Sequence, residues 1–155
     1  MRRFAVLLAT GFGIGRLPVA PATWASAATA LLLVPEAARA PFTLGVAILA
    51  LLPIAVWACH QAEHELGTDA HPIVADEVVG MMISVWGVPH AAGTSPLLLL
   101  AAGFFLFRAY DILKPPPIRG SQSLPGGWGV VVDDVLAGIA TNLTLRLAAA
   151  VGVAF

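Results

Sequence analysis

Cysteine is nearly absent. Cys59 stands alone among 155 residues, which excludes an intrachain disulfide framework and the paired cysteines of a zinc ribbon. Charge is scarce too. Asp, Glu, Lys and Arg make up 11% of the chain and nearly cancel, leaving a net charge of −1. Without a basic surface there is no electrostatic footprint for nucleic acid, and that class of partner is excluded. The glycine-rich stretch "GFGIGR" (11 to 16) has Arg16 where a dinucleotide fingerprint needs its third glycine, and it lacks the Walker lysine.

What the chain has in abundance is apolar surface. Hydrophobic residues make up 59% and the mean hydropathy is +0.88. A water-soluble domain of this size cannot hide that much apolar area, because small domains have too much surface for their volume. The composition predicts one membrane-embedded domain over 1–155, an all-α, multi-pass helical bundle. Five apolar segments can be drawn, at roughly 17–34, 42–60, 75–89, 96–110 and 130–155. A span needs about 20 residues, so 42–60 and 130–155 suffice most easily. The bundle is expected to hold four to five apolar helices, with 75–89 and 96–110 short, tilted or re-entrant. Prolines mark the breaks, with "KPPP" (114 to 117) a firm stop and Pro53 lying inside a span. The opening "MRRFAVLLATGFG" mimics a secretory signal, but its apolar part is short and glycines interrupt it, so it is expected to stay uncleaved.

Basic residues orient the bundle. If the five segments alternate, Arg2, Arg3, Arg16, Arg108, Lys114 and Arg119 fall on one side, and only Arg39 and Arg146 fall towards the other. The positive-inside rule then places the N-terminus in the cytoplasm and the C-terminus outside. The polar stretches collect on that same face, while the opposite loops "PEAARAP" and "PHAAGTSP" hold little chemistry. One site at the inner membrane surface is expected.

Two acidic doublets open apolar segments: Asp76–Glu77 in "ADEVVGMM" and Asp133–Asp134 in "DDVLAGI". In each, an Asp precedes Gly by four residues, from Asp76 to Gly80 and from Asp134 to Gly138. Those positions share a helix face, and glycine there lets a second helix approach closely. Two such helices would gather four carboxylates, which is tolerable only if cations neutralise them. Oxygen-only donors suit Mg²⁺, or Mn²⁺, rather than zinc. A plainer reading is that these acids complement helix dipoles in headgroup water; the repeated glycine spacing favours the metal site.

In "RAYDILKP", Arg108, Asp111 and Lys114 are three residues apart and share one face if the helix continues. They form either a phosphate clamp with an associated carboxylate, or an interfacial helix end with outward-reaching cations. His60, His64 and His71 cluster in or near one loop. No HExxH pattern makes them a zinc site, but His60, ending a span, and His71, just before the doublet, are candidates for a role at the phosphate. The glycine-rich turn could offer backbone N–H groups to phosphate. Were phosphate the substrate, a cysteine-phosphatase loop is ruled out because Glu65 stands where its arginine belongs, and no DxDx[TV] motif occurs. Metal-activated water is then the simplest nucleophile, with attack by an aspartate the other option.

Taken together, "GFGIGRLPVAPATWAS", "CHQAEHELGTDAHPIVADEVVGM", "FRAYDILKPPPI" and "GGWGVVVDDVLAG" resemble bacterial phosphatidylglycerophosphatase A over roughly residues 10 to 140. In the first motif Ala22 and Ala25 stand where that family usually has glycine. The resemblance implies a Mg²⁺-dependent enzyme that removes the terminal phosphate of phosphatidylglycerophosphate, a membrane phospholipid. It also implies a site: Asp76, Glu77, Asp133 and Asp134 as metal candidates and Asp111 as a further catalytic acid. Arg16, Arg108 and Lys114 would oppose the phosphate charge, with Thr23 and Ser26 as hydrogen-bond donors. The residues alone also admit a small ion-coupled transporter, for which intramembrane acids are equally expected; crowding of the acids on one face argues against it.

Overall fold

A computed structural model describes residues 1–37, 41–89 and 95–153. Every regular element among them is helical. Arg39 and parts of both loops assigned to the blank face lie outside the described residues.

The chain opens with α1 (Arg2–Ala9), followed by a 3₁₀ turn over Gly11–Arg16. The helices α2 (Pro21–Leu32) and α3 (Val34–Ala37) come next, then α4 (Pro41–Leu66) and α5 (Ala75–Val85). The chain continues through α6 (Pro96–Leu113), α7 (Ile118–Ser121) and α8 (Gly127–Ala150). Proline opens α2, α4 and α6, where its missing N–H costs nothing. Ser95 caps α6, its Oγ accepting from the Leu97 N–H at 3.3 Å.

Among the described residues two helices, α4 and α6, are long and apolar enough to cross a membrane. α8 has the length, about 36 Å at 1.5 Å per residue, but carries Asp133, Asp134 and Arg146. α2 and α5, of 12 and 11 residues, reach only about 18 and 16 Å, far short of a hydrocarbon core of about 30 Å. The apolar segment expected at 75–89 is therefore a core helix: nine of the eleven α5 residues are buried. It lies among α2, α4, α6 and α8 and packs most extensively on α8. Met81, Phe107, Val131 and Leu145 fill the interior. The outer surfaces of α4 and α6 expose Phe42, Leu49, Leu97 and Phe105, a covering suited to acyl chains and not to water.

One boundary is corrected. The apolar segment drawn at 42–60 belongs to a helix that continues to Leu66, so His60 and His64 sit on its last turns, next to the loop that carries His71. α4 runs unbroken through Pro53 to Leu66, because "HQAEHEL" contains good helix formers and no breaker before Gly67.

Candidate active site

The glycine-rich turn sets the position of the first acidic doublet. Gly15 lies against the backbone of Pro72, where a Cβ would come 2.0 Å from the Pro72 carbonyl oxygen. The Val74 N–H then donates to the Ala9 carbonyl at 2.8 Å. The strand of chain leading into α5 is thus fastened to the end of α1 and the turn that follows. Asp76 and Glu77, in the first turn of α5, are 8% and 5% exposed.

The second doublet meets the first through the two glycines. A Cβ on Gly138 would stand 2.5 Å from the Gly80 carbonyl oxygen, and one on Gly80 would stand 2.9 Å from the Asp134 carbonyl oxygen. Only backbone against backbone permits this approach. It draws Asp133 and Asp134, each 3% exposed, to the same end of the bundle as Asp76 and Glu77.

The end of α6 supplies the cations. The Arg108 guanidinium donates to Glu77 Oε1 and, at 3.0 Å, pairs with Asp111 Oδ2. The Lys114 ammonium donates to Asp133 Oδ2 and stands 3.6 Å from Asp111 Oδ1. Lys114 follows the last turn of α6 in a left-handed conformation, φ 43° and ψ 58°, which for a non-glycine residue costs about 1–2 kcal/mol. A strained backbone therefore carries the cation that spans two acids. Burial works against the charged form of Lys114, but the hydrogen bond and charge of Asp133, joined by Asp111, outweigh it and hold its pKa above the ordinary value. Ser26 of α2 is fully buried, its Oγ 2.7 Å from Glu77 Oε2 and 2.8 Å from the Ala22 carbonyl. One hydroxyl proton can serve only one of them at a time.

Carboxylate oxygens of Asp111, Asp133 and Asp134 all lie within 4.8 Å of one another. Glu77 stands apart from that trio, since Arg108 and Ser26 engage both its oxygens. Asp76 is outside the trio as well, but close enough for its charge to bear on Asp134. Five carboxyl groups thus gather about two cations. Among the described residues, Asp76 Oδ1, Asp134 Oδ2, Arg108 Nε and, seven residues further along α8, Thr141 Oγ1 are buried with no hydrogen-bond partner. Buried, unpartnered carboxylate oxygens are expensive unless something of positive charge meets them. An all-oxygen donor set with two orphaned atoms fits a hard divalent cation of the Mg²⁺ or Mn²⁺ kind.

The remaining sequence candidates lie on α2, on α4, in the glycine-rich turn and on the loop before α5. Thr23 is half-buried on α2, and Arg16 is exposed at the end of the glycine-rich turn. His60 is exposed; its ring lies against Gly126, just ahead of α8, and meets His64 edge-on with centroids 5.0 Å apart. His71 is exposed on the loop before α5. Asp69, on that same loop, is a residue the sequence did not single out. Its N–H donates to Glu63 Oε1 at 3.1 Å, and its charge bears on both Asp76 and Asp133. Only its closeness in sequence to the first doublet could have drawn attention to it.

Residues 7–149 match the family model described as Phosphatidylglycerophosphatase A. The chain is 38% identical over 136 residues to the phosphatidylglycerophosphatase A of Escherichia coli, covering 86% of this chain and 76% of that protein. It is 35% identical over 148 residues to the phosphatidylglycerophosphatase A of Haemophilus influenzae, covering 86% and 81%. A Bacteroides thetaiotaomicron protein, given provisionally as a phosphatidylinositol-3-phosphatase, is 34% identical over 148 residues and is covered to 92%, as is this chain. No solved structure matches.

Proposed function

The chain belongs to the phosphatidylglycerophosphatase A family, and from that membership we propose that it hydrolyses the terminal phosphomonoester of phosphatidylglycerophosphate. The products are phosphatidylglycerol and inorganic phosphate. The observation that carries this reading is the buried acid cluster with two unpartnered oxygens, set beside Arg108 and Lys114. We place the site at the cytoplasmic face of a bacterial inner membrane, with the N-terminus inside, on the distribution of Arg2, Arg3, Arg16, Arg108, Lys114 and Arg119.

Asp111, Asp133 and Asp134 would hold a Mg²⁺ ion, with Asp76 beside them. When bound, such an ion supplies charge neutralisation at the phosphoryl oxygens and a more acidic water. Arg108 and Lys114 oppose the charge of the phosphomonoester, and they act with more force in a half-buried site than in water. Glu77 and Ser26 hold Arg108 in place for that task. Thr23, Arg16, His60 and His71 would meet the headgroup at its approach. Because the diacyl part stays at membrane depth, only the headgroup needs to reach the acids.

The test is phosphate release from phosphatidylglycerophosphate by purified protein, with Mg²⁺ and with EDTA, for wild type and Asp134→Asn. Release that needs Mg²⁺ and is lost in the variant is expected; full activity in EDTA would sink the metal assignment. The Bacteroides relative makes phosphatidylinositol 3-phosphate the natural second substrate. Faster turnover of that lipid would move the proposal to a different headgroup on the same site.

A further inference from the structure

An apolar groove of about 380 Å³ runs between α2, α4 and α5, with the glycine-rich turn at one end. That volume falls in the range of small-molecule sites, roughly 300–1,000 Å³. We propose that it seats one acyl chain of the same phosphomonoester phospholipid whose headgroup the acids receive. This rests on the phosphatase reading above and adds where that substrate's tail lies.

The evidence is the way two helices divide their faces. On α5 the groove is lined by Ala75, Val78, Val79 and Met82, spaced as one face of a helix. Asp76 and Glu77 belong to the same first turn but stand about 100° and 200° around the axis from Ala75, so Asp76 takes the neighbouring face and Glu77 faces away from the groove. On α2 the groove takes Ala25, Ala28, Thr29 and Leu32, again one face. Ser26, next to Ala25, turns instead to Glu77. Ala55 and Ala58 of α4 close the third side. On both helices the residue after a groove-lining alanine belongs to the acid site, Asp76 after Ala75 and Ser26 after Ala25, so groove and site come nearest at the N-terminal end of α5. A lipid with its phosphate at the acids can bend over that end and lay a chain along the groove. Bulk lipid would fill an apolar furrow anywhere on the outer surface, but this one shares α2 and α5 with the residues of the buried charged site. Small residues on α2 and α4 leave the width for a chain. Phe12 at the rim is 75% exposed, so the groove is open to a chain entering from the membrane.

The test compares phosphate release from phosphatidylglycerophosphate bearing dioleoyl or dihexanoyl chains, for wild type and the groove-filling variant Ala28→Phe. With the long-chain lipid, kcat/KM is expected to fall about tenfold, mainly through KM, while the short-chain lipid changes less than about twofold. Equal loss on both lipids, or no loss on either, would overturn the groove. Should wild type release phosphate from neither, the phosphatase reading fails, and the groove is judged by cross-linking alone. A phosphomonoester phospholipid with a diazirine at mid-chain should then label α2 and α4 peptides more strongly than phosphatidylcholine carrying the same diazirine. Equal labelling by the two would overturn the groove.

Discussion

Arg108 divides its guanidinium between Glu77 and Asp111, and its own side chain is only 13% exposed. Removing one member of such a buried pair leaves the other charged and unmet, at a cost of about 3–5 kcal/mol. Arg108→Met should therefore lower the thermal midpoint in detergent markedly, and adding Glu77→Gln should recover part of the loss. If the single variant is as stable as wild type, Arg108 is not what makes Glu77 tolerable. Asp134 presents the opposite case, because its Oδ2 is buried with no partner. We expect Asp134→Asn to reduce phosphate release at least about a hundredfold while raising, or leaving unchanged, the thermal midpoint in EDTA. A catalytic acid held against its own stability gives this divergence; parallel loss of both would mark it as structural.

At the level of elements, the α5–α8 contact decides whether there is a site at all. At Gly138 an added methyl would meet the Gly80 backbone carbonyl, which cannot give way, whereas at Gly103 it would meet the end of the Val85 side chain at 2.7 Å. Overpacking costs about 1–3 kcal/mol where neighbours must move. Gly138→Ala should therefore be the more destabilising of the two by thermal denaturation, and it should lower activity as well, by separating Asp134 from Asp76. Equal effects would show that the backbone approach is not limiting. Below this contact Tyr110 Oη and Thr144 Oγ1, 3.0 Å apart, tie α6 to α8. At the far end the Asn142 side-chain amide donates to the Ile83 and Trp86 carbonyls, both at 2.9 Å. These bonds close the carbonyl end of α5 from the side.

For the whole molecule, acids concentrated at one end imply that the ion belongs to the folded state alone. Mg²⁺ should raise the thermal midpoint of wild type, by linkage worth about 2.7 kcal/mol at a hundred times its dissociation constant. It should do so much less in Asp134→Asn, and an equal rise in both would place the ion elsewhere. The same polarity gives a topological expectation. In a Cys59→Ala background, cysteines at Arg3 and Arg119 should react from the cytoplasmic side, and one at Val151 from the other. Cysteines at Asp76 or Asp133 reachable from both sides would favour a transporter.

Helix periodicity is a local property, so the sequence by itself determined the two Asp-to-Gly steps and the shared face of Arg108, Asp111 and Lys114. It also determined that an apolar, sparsely charged chain becomes a helical bundle suited to lipid, since no soluble fold hides that much surface. The residues alone could not say which acids would meet. Glu77 and Asp76 are neighbours in sequence, yet one is taken by Arg108 and Ser26 while the other keeps an unpartnered oxygen. Asp111 joins the α8 doublet because the end of α6 reaches α8. Nor could local pattern distinguish the buried α5 from a short membrane segment, because a core helix and a lipid-facing one are equally apolar. Those outcomes belong to tertiary packing: they depend on the distance between helix backbones, which glycine sets at Gly80 and Gly138.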